Sequence, residues 1–140
     1  MNPLKVSSIA LAGLMMSGCS STLVKPEIEK QILLQSSASW DGTEYIAYPD
    51  GRPELTLLKI KIPANSELDW HTHPIPNAAY ILSGELTVEA KTSGQKQLLK
   101  QGQTLAEMVG IVHRGITGDS PVELIVFYAG SPGIALSERP

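Results

Sequence analysis

The sequence predicts an all-β protein in which short strands form two packed sheets, as in a sandwich or a closed barrel. Short apolar stretches recur between residues 45 and 128, and turn-forming residues separate nearly all of them. A composition of 42% hydrophobic residues in a chain of 140 can supply the core of one domain. The sequence has no internal repeat, so we expect a single barrel.

Nine short strands are predicted in this part of the chain. In order, they cover residues 45–48, 55–62, 68–73, 78–82, 85–90, 97–100, 104–108, 112–117 and 122–128. The intervening segments contain Gly, Pro, Asn or Asp, which suit tight reversals. In the second strand, Leu58, Ile60 and Ile62 alternate with lysines, which predicts one core face and one solvated face. A double-sheet jelly roll would cover most strand edges and leave a pocket between the sheets.

The chain has three histidines, and two of them, His71 and His73, are separated by a single residue. In an extended strand, His71 and His73 project to the same side, roughly 6 to 7 Å apart, so that two imidazoles can share one ion. Pro74 and Pro76 lack an N–H and end the strand, so that Asn77 can begin a returning strand beside the pair. The amide oxygen of Asn77 is therefore a candidate third or fourth ligand. Imidazole suits Zn, Fe, Cu and Ni, whereas an amide oxygen also tolerates Mn.

Two motifs of fixed spacing contain all three histidines of the chain. The first consists of Asn65, His71, His73, Asn77 and Gly84. The second consists of Gly102, Met108, Gly110, His113 and Thr117. Their spacing resembles that of the two motifs of the cupin superfamily, and the flanking strands extend the similarity over roughly residues 36–136. Four residue types differ, since the family has Gly at the position of Asn65, Glu at that of Asn77, Pro at that of Met108 and Asn at that of Thr117.

The resemblance implies a double-stranded β-helix, or jelly-roll barrel, over residues 40–140. It also implies one divalent metal ion bound by His71, His73 and His113 in a mostly apolar pocket. The family's fourth ligand is a glutamate, so here the fourth ligand is Asn77, a solvent molecule or absent. The metal is Zn, Mn, Fe, Ni or Cu. The alternative is a barrel whose histidines are solvated or bonded to the backbone and bind no metal.

Two functional hypotheses follow from the resemblance. In the first, the protein is a mononuclear metalloenzyme, such as an oxygenase, isomerase or lyase, that acts on a small organic compound. Its ion would polarise a bound oxygen or lower the pKa of a bound water. In the second, it is a non-catalytic module that binds or senses a small molecule or a metal. An ionisable side chain within hydrogen-bond reach of the open metal position would favour proton-transfer chemistry.

Catalytic residues other than the ligands are left unassigned by the sequence. Glu107 and Tyr80 are candidates for a general acid or base, but strand alternation places both side chains on the outer face. If Asn77 faces inward, Tyr80 is expected to face outward. Phe127 and Tyr128 lie on opposite faces of the last strand, so that one of them lines or caps the pocket.

The N-terminal segment has the pattern of a bacterial lipoprotein signal peptide over residues 1–18. Lys5 precedes an apolar stretch of about 11 residues, well below the ~20 that a spanning helix needs. Residues 16–19 resemble a lipobox, in which the chain is cut before Cys19 and this cysteine is lipidated; the alternative is a free thiol. Ser20 resembles the sorting signal of outer-membrane lipoproteins. We therefore expect a tether and edge segment over residues 19–39 and a lipid-anchored periplasmic domain.

The composition argues against a nucleic-acid partner. The formal net charge is −3, the basic residues are scattered rather than clustered, and aromatic residues make up only 5% of the chain. The cupin resemblance implies a small-molecule partner and a homodimer that forms through an exposed edge near residues 32–35 or 55–57. The alternative is a monomer whose edge is covered by its own N-terminal segment.

Overall fold

The computed structural model describes residues 25–140, which form seven strands and no helix. The strands are β1 (Glu54–Ile62), β2 (Asn77–Ser83), β3 (Glu85–Ala90), β4 (Lys96–Lys100), β5 (Thr104–Ala106), β6 (His113–Thr117) and β7 (Val122–Gly130). The chain divides into two units, residues 1–30 and 31–140, and the strands of the described residues lie in the second. The signal peptide and Cys19 lie outside the described residues. No helix long and apolar enough to cross a membrane occurs between residues 25 and 140.

The strands form two antiparallel sheets. The first has the order β1-β7-β2-β5 and the second has the order β4-β3-β6. Their inward-facing side chains form the core, which consists of Ile62, Ile75, Ala79, Ile81, Leu86, Val88, Leu99, Leu105, Val122, Leu124, Val126 and Tyr128. This all-β architecture confirms the predicted jelly-roll barrel.

The alternation predicted for β1 is also confirmed. Leu58 and Ile60 pack against the core and Ile62 is buried in it, whereas Lys59 and Lys61 face solvent. Both lysine ammonium groups lie near the carboxylate of Glu123 on the neighbouring strand, at 3.0 and 3.4 Å. Exposed pairs of this kind contribute little to stability, so burial of the apolar face is what fixes the strand's orientation.

Two of the predicted strands are wrong. Residues 45–48 form no strand, because the Tyr45 backbone N–H bonds to Ser37 and its hydroxyl bonds to the carbonyl of Glu107. Residues 68–73 form no strand and make one isolated bridge with β6, between His71 and His113, and another between Thr72 and Glu138. There the carbonyl of Asp69 accepts a bond from the ring of His71, two residues ahead, and such local side-chain bonds compete with sheet pairing.

Two unusual residues of the motifs have a structural explanation. Asn65 adopts a φ of 53°, in the left-handed region where Asn follows Gly as the best-tolerated residue, so it can replace the glycine of the first motif. Thr117 fixes the turn that leads to the histidine pair. Its hydroxyl donates to the carbonyl of Pro63 at 2.7 Å and accepts from the N–H of Ser66 at 2.9 Å. Both motifs are thereby linked across the barrel.

Candidate metal centre

The three histidines lie together at one end of the barrel. His71 and His73 belong to the extended segment before β2, and His113 is the first residue of β6. The backbones of His71 and His113 exchange two hydrogen bonds, of 3.0 and 2.9 Å, which fix the two residues opposite each other. The three ring centroids are 4.6 to 5.0 Å apart, and the candidate ligand atoms all lie within 4.8 Å of one another.

Each imidazole is oriented by a backbone carbonyl. The Nδ1 atoms of His71, His73 and His113 each lie 2.8 Å from a carbonyl oxygen, which belongs to Asp69, Leu136 and Ile111, respectively. A carbonyl can only accept, so each Nδ1 donates its proton and each Nε2 keeps a free lone pair. Metal-binding histidines have this same arrangement, in which an outer partner sets the tautomer and the orientation of the ring.

Burial favours the uncharged form of two of these rings. His73 and His113 are only 5% and 2% exposed. Removal from water lowers the pKa of His73 to about 4, and it also lowers the pKa of His113. Both rings are therefore neutral at pH 7, and neutral imidazole is the form that binds metals.

Glu107 belongs to the site, although strand alternation predicted an outward side chain. It is 8% exposed, and its Oε2 lies 3.5 Å from Nε2 of His113. The alternation fails because β5 ends at Ala106, one residue earlier than Glu107. The available signal was a single acidic residue within the apolar run of residues 105–109, next to the second histidine motif.

The contact between Glu107 and His113 is not an ordinary ion pair. Burial raises the pKa of Glu107 to about 7, against a smaller opposing effect of the Met108 backbone N–H, while burial lowers the pKa of His113. Each shift favours the neutral form, so the protein alone does not stabilise a carboxylate and an imidazolium here. The short distance shows that both groups face the same space.

That space is a cavity of about 70 Å³ between the two sheets. Its lining is mostly aliphatic, as predicted, and consists of Ile60, Ile62, Leu68, His71, His73, Leu86, Val88, Glu107, His113, Gly115, Leu124, Val126 and Tyr128. Tyr128 faces inward, with its ring 5.7 Å from that of His73, whereas Phe127 faces outward and is partly exposed. Burial, aided by the charge of Glu107, raises the pKa of Tyr128 to about 12, so this phenol is neutral at pH 7.

Asn77 begins β2, as predicted, and its side chain is buried. Its Nδ2 donates to the carbonyl of Ile75 at 3.1 Å, and Asn77 is not among the residues that line the cavity. Its role as a ligand stays a prediction. The alternation predicted for β2 is confirmed, because Ala79 and Ile81 are buried while Tyr80 is partly exposed on the other face.

Four buried polar side-chain atoms of the described residues have no hydrogen-bond partner. In residues 25–140, the buried side-chain atoms of this kind are Trp40 Nε1, Asn77 Oδ1, Glu107 Oε2 and His113 Nε2. Such atoms are rare because each costs about 1–3 kcal/mol. Two of them, Glu107 Oε2 and His113 Nε2, face each other across the cavity. Imidazole nitrogens and a carboxylate oxygen suit a divalent ion of the Zn, Fe, Mn, Ni or Cu type, so these residues fit a metal centre.

Comparisons with known proteins agree with the fold. Solved structures with a similar fold include the DMSP lyase DddQ from Ruegeria pomeroyi, which is 24% identical with a TM-score of 0.54. The polyketide cyclase RemF from Streptomyces resistomycificus is 20% identical with a TM-score of 0.52. An RmlC-like cupin from Shewanella frigidimarina is 21% identical with a TM-score of 0.50. These alignments cover 61%, 63% and 57% of this chain, respectively.

The share of each neighbour's own length that the alignment covers differs between the neighbours. The chain covers 63% of the cyclase and 69% of the RmlC-like cupin, but only 42% and 44% of two DMSP lyase chains. No curated protein matches the sequence. The family model of the cupin domain matches residues 58–128, about half of the chain, and this match includes both histidine motifs. The chain therefore belongs to the cupin family.

Proposed function

We propose that this cupin is a mononuclear metalloenzyme that acts on a small organic molecule. His71, His73 and His113 would bind one divalent ion through Nε2. The observation that carries the proposal is the arrangement of the three rings, each bonded to a carbonyl through Nδ1 and directed toward the others. An ion bound there supplies a Lewis acid that polarises an oxygen atom of a ligand.

The ionisable side chains in the cavity favour an enzyme over a binding module. Glu107 and Tyr128 line the same space as the histidines, and both are buried. A neutral phenol can donate a hydrogen bond or a proton to a ligand held at the ion, which a binding protein does not require. This supports lyase or isomerase chemistry more than oxygen activation.

The chemistry of the cavity indicates what kind of molecule it would take. Its aliphatic lining suits an uncharged or weakly polar group, and a volume of about 70 Å³ admits only a small portion of a molecule beside an ion. The fold neighbours named as a DMSP lyase and a polyketide cyclase are enzymes of small molecules, which supports a small-molecule ligand for this chain.

The alternative is a module that binds or senses a small molecule or a metal without turnover. The small cavity favours it, because a volume of about 70 Å³ leaves little room for an organic substrate beside an ion. A site of that size is sufficient for an ion with its remaining solvent ligands. Turnover of any compound by the metal-loaded protein, lost when Tyr128 is replaced by Phe, would reject this alternative.

Elemental mass spectrometry of the full chain, purified without an affinity tag, tests the proposed metal centre. We expect close to one divalent ion per chain, because the three lone pairs are already oriented. The identity of the ion then separates redox from Lewis-acid chemistry. No bound metal after incubation with Fe, Mn, Zn, Ni and Cu in turn would contradict the metalloenzyme proposal.

We also propose that the protein is a lipoprotein of the outer membrane that faces the periplasm. The support is the sequence alone, namely the signal pattern before Cys19 and the serine that follows it. Cell fractionation of the wild type and of Cys19→Ser tests the proposal. The wild type is expected in the outer-membrane fraction, and an identical distribution of both proteins would argue against a lipid anchor.

A homodimer through the first sheet is the third part of the proposal. β1 lies at the edge of that sheet, and its exposed Leu57 pairs with Phe127 on the outer face. Light scattering is expected to give twice the monomer mass for the wild type and the monomer mass for Leu57→Glu. Leu98→Glu, on the other sheet, is the matched control. A monomeric wild type would refute the pairing.

A further inference from the structure

We propose that Glu107 is the fourth ligand of the metal ion. In the family, that ligand is the glutamate of the first motif. This chain has Asn77 at that position, which is the first residue of β2. Here the carboxylate would come instead from the segment after β5. The inference rests on the proposed metal centre. It assigns to that centre a residue that does not occupy any of the ligand positions of the two motifs.

The distance between the two facing atoms fits one shared ion. Oε2 of Glu107 and Nε2 of His113 are 3.5 Å apart. Two ligand atoms that each lie about 2.1 Å from one metal ion, at angles between octahedral and tetrahedral, are about 3.0–3.5 Å from each other. A strong hydrogen bond between them would be shorter, near 2.9 Å. The observed separation therefore matches ligation better than direct bonding.

The hydrogen bonds of His113 lead to the same conclusion. Its Nδ1 donates to the carbonyl of Ile111, so its Nε2 has a lone pair and no proton to give to Glu107. The facing Oε2 is also an acceptor and has no partner among the described residues. A carboxylate oxygen and an imidazole lone pair that face each other in a buried site are both satisfied by a proton or a metal ion between them. The separation of 3.5 Å is long for a shared proton and fits the ion proposed for the three histidines.

Strand pairing explains how a carboxylate at residue 107 can replace one at the family's position, residue 77, in the same site. β2 and β5 are neighbours, and Ala78 lies opposite Ala106 in their register. The next pair along is Asn77 and Glu107, whose backbones share a hydrogen bond of 3.1 Å from the Glu107 N–H to the Asn77 carbonyl. A ligand on either residue therefore originates at the same end of the same sheet.

The segment that carries Glu107 is fixed on both sides. The hydroxyl of Tyr45 donates to the carbonyl of Glu107 at 2.6 Å, and the N–H of Trp40 donates to the carbonyl of Ala106 at 2.9 Å. A few residues later, the N–H of Gly110 donates to the carbonyl of His73 at 2.9 Å. Because the same segment is bonded to a histidine ligand, the backbone that carries the carboxyl group is held in place beside that histidine.

An anionic fourth ligand has a chemical consequence. It reduces the net charge of a divalent centre by one and adds a hard oxygen donor, which improves binding of Mn and Fe relative to a site with imidazole alone. Because Glu107 would be bound to the ion, Tyr128 is the ionisable side chain of the cavity that stays available for proton transfer to a small-molecule ligand.

Relocation of the carboxylate tests the inference. We expect Glu107→Gln to raise the Kd for Zn²⁺ by about 100-fold, in a competition titration with a chromophoric chelator, since even the loss of an outer partner costs 10–100-fold. Adding Asn77→Glu to that variant is expected to recover at least about tenfold of this loss, because it restores a carboxylate at the family position. Glu85→Gln, an exposed change on β3, is the control and should leave the Kd unchanged.

A spectroscopic measurement separates ligation from a structural role. Co²⁺ bound to the wild type has d–d absorption bands that depend on its ligands, and we expect them to shift in Glu107→Gln. If Glu107→Gln does not fold, Glu107→Asp gives the same test, because the shortened side chain must also alter the bands. Metal binding by the wild type together with an unchanged Kd and unchanged bands in these variants would overturn this inference alone. A wild type that binds no metal would overturn the metalloenzyme proposal as well.

Discussion

Replacing His73 with alanine is expected to abolish stoichiometric metal binding and to raise the Kd for Zn²⁺ by more than about 100-fold, because a direct ligand contributes more than the outer partners that cost 10–100-fold. His73 is a clear choice among the three histidines. It is buried, its Nδ1 is bonded to Leu136, and it takes no part in the backbone pairing of His71 with His113. The other two rings should therefore keep their positions.

Thr72→Ala is the matched control for this change. Thr72 lies between the two histidines, and its backbone exchanges two hydrogen bonds of 2.9 Å with Glu138, which the substitution retains. Circular dichroism would show whether both variants keep the β fold. Equal metal content in the wild type and in folded His73→Ala, measured by elemental mass spectrometry, would refute the assigned ligand set.

The sequence predicts the strands of the barrel and the pair of His71 and His73 because both depend on local spacing. Alternation in residues 58–62 predicts which face of β1 is buried, and Pro74 and Pro76 predict where β2 begins. That His113 meets His71 and His73 is what the resemblance of the two motifs to the cupin family implies, because His113 is distant from the pair in sequence. Asn65 keeps the required positive φ without glycine.

Glu107 could not be placed by the same reasoning, because its position depends on contacts that are distant in sequence. β5 ends at Ala106 where the chain is bonded to Trp40, Tyr45 and Asn77. Period-2 alternation applies only while a strand continues, and no local signal marks this end. The same limitation explains the wrong strand over residues 68–73, where Asp69 bonds to the ring of His71 rather than to β6.

The connection between the two sheets has a consequence for stability and for the metal centre. Gly84 is the single residue between β2, which belongs to the first sheet, and β3, which belongs to the second. The candidate site uses residues from both sides, since His113 lies on β6 and Tyr128 on β7. A distorted connection would therefore disturb the alignment of the cavity walls as well as the core.

We expect Gly84→Ala to lower the free energy of unfolding by about 3 kcal/mol or more. Gly84 has a φ of +81°, and a left-handed conformation costs an alanine roughly 1–2 kcal/mol. In addition, a Cβ at this position would lie 2.3 Å from the carbonyl oxygen of Pro121 and 3.1 Å from Cγ2 of Val122. The first of these contacts is with backbone, which cannot rotate away, so the backbone at Gly84 or Pro121 must shift.

Comparison with Gly94→Ala separates the conformational cost of a positive φ from the steric overlap with Pro121. Gly94 has a φ of +68°, and a Cβ there would meet no heavy atom within 4 Å, so it carries the conformational cost without the overlap. Urea unfolding of the metal-free proteins, followed by tryptophan fluorescence, is expected to show a loss of roughly 1 kcal/mol for Gly94→Ala and at least about 2 kcal/mol more for Gly84→Ala. Equal losses for the two variants would mean that backbone conformation alone, and not the close approach of Pro121, makes glycine necessary between the sheets.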